Sequence, residues 1–155
     1  MNKYVAFLRA INVGGNAIIK MTALKRMFES AGVENAQTYI QSGNVVFECD
    51  EKDISVIEKR IEEQLEEVAG YKIHLFVRTM RELQSIVKKS PFEAKAGETA
   101  YVAFLKQKPE AKSRQALLAL KNEADDFAIK GLEIYHLRRD REKSVLAKTS
   151  IEKVL

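Results

Sequence analysis

Tryptophan is absent from this chain of 155 residues, and cysteine occurs once, histidine and proline twice each, and glycine seven times. A single cysteine, Cys49, cannot close an internal disulfide, and two histidines with one thiol make no spacing that holds a structural zinc. No metal and no cofactor are expected. Also missing is any run of about eighteen continuous apolar residues, so no membrane span is expected. Met1 to Ala10 lacks the long apolar core and small-residue cleavage site of a secretory signal, which points to the cytoplasm. The phosphate loop ending in Gly-Lys-Ser/Thr, the dinucleotide GxGxxG run and the GxSxG nucleophile elbow are absent as well.

What remains is an ordinary soluble composition, with 46% hydrophobic residues and a formal net charge of +4. The length suits one domain or two small ones. Charge is unevenly spread: residues 1–78 carry 10 basic against 11 acidic side chains, a net of −1, and residues 79–155 carry 16 against 11, a net of +5. A basic excess confined to one part attracts polyanions at long range, and it equally keeps a protein soluble.

The pattern of elements also divides the chain at residue 78. YVAFL at Tyr4 to Leu8 reads as a strand. Met21, Leu24, Met27, Phe28 and Ala31 then share one helical stripe, with Thr22 as the expected cap and Gly32 as the stop. QTYIQ and NVVFEC flank a short turn at Ser42 and Gly43, the spacing of a hairpin. Ile54, Ile57, Ile61, Leu65 and Val68 recur at helical intervals before Gly70, and KIHLFVR is a further strand. Residues 1–78 therefore read β-α-β-β-α-β. Thr79 and Glu82 form a capping box ahead of a linking helix that Pro91 ends.

YVAFL then returns letter for letter at Tyr101 to Leu105. A helix over about Glu110 to Asn122, a strand from Phe127 to Lys130, a turn at Gly131, the strand LEIYHL and a helical pattern from Ser144 follow it. The repeated order predicts two related units, 1–78 and 79–155. The expected class is α+β, two tandem ferredoxin-like units with antiparallel sheets, the second incomplete. Right-handed crossovers leave the first two strands parallel with the third between them. The loop after the first strand and the hairpin between the second and third then leave the sheet at the same end.

That end collects the candidate ligand-binding residues Arg9, Asn12, Gly14, Gly15, Asn16 and Lys20 with Gln41, Ser42, Gly43 and Asn44. Glycines admit the turns in which successive backbone N–H groups converge on an anion, the following helix start adds a positive field, and Arg9 and Lys20 add charge. The expected partner is a nucleotide, a phosphorylated metabolite or a nucleic-acid segment. Glycine and asparagine also serve turns for conformational reasons alone. Lys106, Lys108, Arg138, Arg139 and Arg141 are candidate polyanion contacts, although Asp140 and Glu142 interrupt the last run and offer local ion pairs instead.

No reaction can be named from the remaining groups. His74 alternates with Lys72 and Phe76 as an ordinary strand histidine, and His136 has no acid-base partner fixed by spacing. Cys49 stands between Glu48 and Asp50, where negative neighbours disfavour a thiolate. Ser42 has no defined His-Asp partnership. Whether the chain is an enzyme is left open, and so is its state as monomer or homodimer. The alternatives to anion binding are a small-molecule enzyme using the same polar loops and an interaction module without a ligand. An RNA-recognition platform is disfavoured, because NVVFECD does not fit the Gly-Phe/Tyr-Gly/Ala-Phe-Val run on the third strand.

YVAFLRAINVGGNAIIKMTALKRMFESAG, TYIQSGNVVF and the SPF to YVAFL passage together resemble the bacterial domain-of-unknown-function family 1697, most specifically over residues 4–47. The resemblance implies an α+β protein with two ferredoxin-like parts and transfers no catalytic or binding residue. Members are expected to carry an Arg-Asn-Trp-Asn-Thr-like segment near the end. This chain instead stops at Leu155 without a tryptophan, and in place of a glycine-containing approach to the late serine it has RRDREK before Ser144, so a second unit incomplete or shortened at its C-terminus is expected.

Overall fold

A computed structural model of the chain describes residues 1–9, 11, 18–39 and 43–155. Two compact units divide it, Met1–Ser85 and Ile86–Leu155. The division falls inside the linking helix rather than after residue 78. Among the described residues the fold is mixed α+β, with two antiparallel sheets and five α-helices.

In the first unit the strands are β1 (Asn2–Leu8), β2 (Glu34–Tyr39), β3 (Asn44–Cys49) and β4 (Leu75–Thr79), and the helices are α1 (Met21–Ser30) and α2 (Ile54–Ala69). The sheet order is β2-β3-β1-β4, and every neighbouring pair is antiparallel. The two β-α-β passages are thus interleaved: β3 lies between β1 and β2, and β1 lies between β3 and β4. Alternation along the strands sends Tyr4, Ala6 and Leu8, Val45, Phe47 and Cys49, and Leu75 and Val77 into one buried core. Leu24, Met27 and Phe28 of α1 and Ile57, Ile61 and Leu65 of α2 complete it.

Local signals explain most helix ends. Asp53 caps α2 by accepting from the Ser55 N–H at 2.9 Å, and Gly70, at φ 79°, closes it with its N–H on the Glu66 carbonyl. Thr22 is not the cap expected of it. The chain turns helical at Met21 with Lys20 in the extended cap position, which leaves Thr22 inside α1. The capping box is present: Thr79 N–H donates to Glu82 Oε2 at 2.7 Å and Glu82 N–H to Thr79 Oγ1 at 3.1 Å, at the start of α3 (Met80–Lys88).

The second unit comprises β5 (Thr99–Phe104), α4 (Ala111–Leu118), β6 (Asp125–Lys130), β7 (Glu133–Arg138), a 3-10 turn (Val145–Ala147) and α5 (Ile151–Val154). Its sheet order is β5-β7-β6, antiparallel throughout. Helix α4 stops before Asn122 because Leu120 and Lys121 bond to carbonyls three residues back, a tightening that ends an α-helix. Strand β6 starts two residues earlier than the apolar pattern predicts, at Asp125. The expected continuous helix from Ser144 is split, since Ser144 caps the 3-10 turn and Ser150 is extended.

Candidate functional site

The end of the first sheet where β1 finishes gathers several chain segments. Phe7 pairs with Asn44 and Leu8 with Leu75, and Tyr39 faces Asn44 across the hairpin. Leu8 N–H donates to the Gly43 carbonyl at 3.1 Å, and Arg9 N–H to the His74 carbonyl at 2.8 Å. Gly43 has φ +84°, and a Cβ there would stand 2.5 Å from Ile11 Cδ1 and 3.1 Å from Leu8 Cβ. Glycine is required at this position twice over, for its backbone conformation and for the closeness of Ile11.

Helix α1 begins at the same end, because β1 and β2 are parallel, both being antiparallel to β3, and the helix between them runs back along the sheet. The Lys20 side chain at the cap position makes no capping bond, and the first turn holds no acidic residue. Its first N–H groups therefore have no intrahelical acceptor, and the positive end of the helix dipole is not offset by a carboxylate within that turn. Lys20 is exposed beside it. A groove of about 350 Å³ runs along Ile18, Lys20, Ala23 and Met27 towards Val68 and Tyr71 at the end of α2. His74 is half-exposed, with Nδ1 3.6 Å from Glu62 Oε1.

Of the expected ligand-binding set, Arg9, Lys20, Gly43 and Asn44 are described. Arg9, Gly43 and Asn44 come together through the Leu8, Ile11 and His74 contacts, and Lys20 stands at the helix start. Asn12, Gly14, Gly15, Asn16, Gln41 and Ser42 lie outside the described residues. Cys49 is buried, with Arg60 Nη2–H directed at its sulfur at 3.2 Å.

The basic residues of the second unit do not form one surface stripe. Arg138 lies over the Tyr101 ring, 5.0 Å from its centre, and Arg139 reaches Asp126 at 3.5 Å and Glu98 at 3.9 Å. Lys143 is 3.9 Å from Asp140, so local acids take up part of the run. Arg141 is exposed. Lys106 and Lys108 line a separate hollow of about 360 Å³ with Gln107, Pro109 and Ser113.

One polar cluster was not anticipated. Asp125, fully buried, accepts from Ser144 Oγ at 2.7 Å, from the Val145 N–H at 2.8 Å and from Asn122 Nδ2 at 3.2 Å, and His136 Nε2 stands 2.7 Å from its Oδ1. The imidazole is stacked between Phe127, at 4.7 Å, and Tyr101, at 5.6 Å. Burial alone pushes the Asp125 carboxyl up, but the bonds from Ser144, His136, Val145 and Asn122 together outweigh it and hold the group below its ordinary value. Chemically this is no nucleophilic relay. The carboxylate, not the imidazole, stands in the middle, and the serine hydroxyl donates to Asp125 instead of facing a base. The cluster fixes the chain after β7 to β6. Two adjacent acids opening an apolar strand, with Asp125 on the Phe127 side and a histidine on the facing strand, are the signal that could have revealed it.

Among the described residues no group of side chains is arranged to hold a metal ion, and no helix is long and apolar enough to cross a membrane. Fold and rim thus define an α+β protein of two antiparallel sheets whose first unit carries a polar loop end. The family described as "Protein of unknown function (DUF1697)" matches residues 1–135, and the chain belongs to it. Comparison with curated proteins gives no match. Among solved structures, the conserved bacterial protein SP0830 from Streptococcus pneumoniae is similar in fold, with a TM-score of 0.76 at 18% sequence identity, over 96% of this chain and 84% of that one.

Proposed function

We propose that the loop end of the first unit binds an anionic ligand, a nucleotide, phosphorylated metabolite or nucleic-acid segment. The reading rests on a ferredoxin-like description of both units, the second lacking its fourth strand. The observation that carries it is the contact of Gly43 with Ile11 and Leu8, which sets Ile11, beyond the end of β1, against the residue that leads into β3. The uncapped start of α1, with Lys20 beside it, supports the sign of the ligand. Backbone donors at a helix start and the adjacent Lys20 ammonium suit a phosphate or carboxylate without base-specific contacts. The apolar groove along Ile18 and Val68 gives room for the uncharged part of such a molecule.

The test is a thermal-shift titration with inorganic phosphate, nucleoside monophosphates, phosphosugars and short oligonucleotides at low and moderate salt. A ligand at a hundred times its dissociation constant adds about 2.7 kcal/mol to the folded state, a rise of several degrees in Tm. The expected result is a salt-sensitive shift that Arg9→Ala and Asn44→Ala reduce without lowering the ligand-free Tm. An equal loss of ligand-free stability in both variants, with no shift from any compound, would leave turn geometry as the reason for these residues.

A further inference from the structure

Two strands that share the YVAFL pentapeptide have different numbers of neighbours among the described residues, and that difference identifies an interaction edge. In β1 the N–H groups of Leu8 and Arg9 bond in opposite directions, to Gly43 and to His74. Alternate residues of an antiparallel strand point to alternate sides, so Val5 and Phe7 face β4 while Ala6 and Leu8 face β3. In β5, Leu105 N–H bonds to the Leu132 carbonyl at 2.8 Å, as Leu8 does to Gly43. By the same alternation Ala100 and Val102 direct their N–H and C=O groups away from β7. Among the described residues β5 pairs with β7 alone, so this is the side that β4 occupies in the first unit.

We propose that β5 pairs through this edge with β5 of a second copy of the chain, antiparallel and about a two-fold axis at Val102. Four observations favour that occupant. The edge is exposed, with Val102 at 37% and Tyr101 at 41%. Its pairing with β7 is continuous from Thr99 to Phe104, with no bulge to twist it away. Strand β5 contains no charged residue and no proline, the devices that blunt an edge, whereas β6 at the other edge carries Asp125, Asp126 and Lys130. The segment is also self-complementary. An axis at Val102 sets the two Val102 residues opposite each other, where each donates to and accepts from its copy, and it brings Glu98 of one copy opposite Lys106 of the other. Two β-branched side chains meet on one face, and opposite charges close both ends of the pairing. The product is one six-stranded sheet from two three-stranded ones, an isologous contact.

The test is sedimentation velocity of the full chain from low to high micromolar concentration, with Val102→Pro and Val102→Lys as probes. Proline at residue 102 removes the outward N–H and leaves the β7 ladder intact, and lysine sets two ammonium groups together at the axis. The wild-type chain is expected to move from monomer to dimer with concentration. Both variants should weaken that association about tenfold or more, proline through the loss of two hydrogen bonds at the axis and lysine through like-charge repulsion there, with unchanged melting. A Tyr101→Cys/Ala103→Cys variant provides a readout that does not depend on either probe folding well. These positions face each other across copies as a close, non-hydrogen-bonded pair, and mild oxidation should give a covalent dimer. The buried Cys49 adds little background. A wild-type chain that stays monomeric throughout, a dimer indifferent to both substitutions, or the absence of a covalent dimer would overturn the proposal. So would an edge occupied by an extended segment of another protein while the chain remains monomeric.

Discussion

The pentapeptide YVAFL occurs twice, and its two copies live in different surroundings. In β1, Tyr4 is 2% exposed and Val5 8%; in β5, Tyr101 is 41% exposed and Val102 37%. The Tyr4 hydroxyl donates to the Glu51 carbonyl at 2.7 Å, and its ring packs on Phe47 at 5.7 Å. Tyr101 instead stacks on His136 and has the Arg138 guanidinium over its ring. Local propensity is identical in the two copies. What differs is the number of flanking strands and the size of the core beneath, so burial here is decided by neighbours and not by the strand's own letters.

The largest break of that comparison comes from truncating the same tyrosine in both places. Tyr4→Ala removes a buried ring and leaves the Glu51 carbonyl without its donor, for a loss of about 4 kcal/mol. Tyr101→Ala removes a ring that is still partly wet and is expected to cost about 1 kcal/mol. Urea unfolding followed by circular dichroism measures both. Similar losses would mean that the two copies share one environment.

The second break targets what replaces a large core in the second unit. The first unit joins residues from every strand and both helices in one buried cluster, whereas the fully buried apolar residues of the second cluster are Leu117, Phe127 and Ile134. Asp125 supplements them by tying β6, β7 and the segment after Ser144 together. Asp125→Ala orphans several buried donors at once and should cost about 3 kcal/mol, read as the loss of the unfolding transition that reports the second unit. The pH dependence has a definite sign. The folded carboxyl titrates below its ordinary value of 3.8, so its contribution is complete above that value and is lost as pH falls through the lowered one. Acid below about pH 4 should therefore loosen the C-terminal segment first, visible as faster amide exchange at Val145 and Leu146. In Asp125→Ala that exchange should be fast already at neutral pH.

The first unit was legible almost element by element, because its helices bury long stripes and end at Gly32 and Gly70 and β3 alternates cleanly, although β2 begins at Glu34, before the expected QTYIQ, and β4 at Leu75, inside KIHLFVR. The contact of Gly43 with Leu8 and Ile11 follows from the strand order, which sets the end of β1 beside the start of β3. In the second unit the signals are weaker. Asp125 and Asp126 look like a loop until His136 is seen opposite, since a buried carboxylate is identified by its partners rather than by sequence spacing. The pattern after Ser144 has helical periodicity but is too short to nucleate a helix without packing, and the structure breaks it at Ser150. Thr22 failed as a cap for a related reason: a threonine near a helix start caps only if the backbone at that residue is extended, which periodicity does not report. In the basic run, whose acids offered local ion pairs, Lys143 meets Asp140, but Arg138 lies over a ring and Arg139 reaches two carboxylates from elsewhere in the chain, contacts that spacing does not report.

A smaller contrast lies in the two hairpin glycines. Gly43 and Gly131 both have positive φ, +84° and +59°, so either pays strain on gaining a side chain. At Gly131 the nearest atom to an added Cβ is Glu133 Oε2 at 3.7 Å, an ordinary contact. At Gly43 Ile11 must move. Gly131→Ala should cost about 1 kcal/mol and Gly43→Ala about 2 kcal/mol, and only the latter should displace the Ile11 methyl signals in an NMR spectrum.

The finest probe returns to the second tyrosine. Arg138, over the Tyr101 ring, is half-buried, and a cation–π contact at such a site contributes about 1 kcal/mol. Arg138→Gln should lower stability by about that amount, and in the Tyr101→Ala background it should have almost no further effect, because the ring it rests on is gone. A double-mutant cycle in urea measures the coupling. If Arg138→Gln costs the same with and without the ring, the arginine acts through some other contact, and the contrast between the buried Tyr4 and the cation-covered Tyr101 reduces to a difference in burial alone.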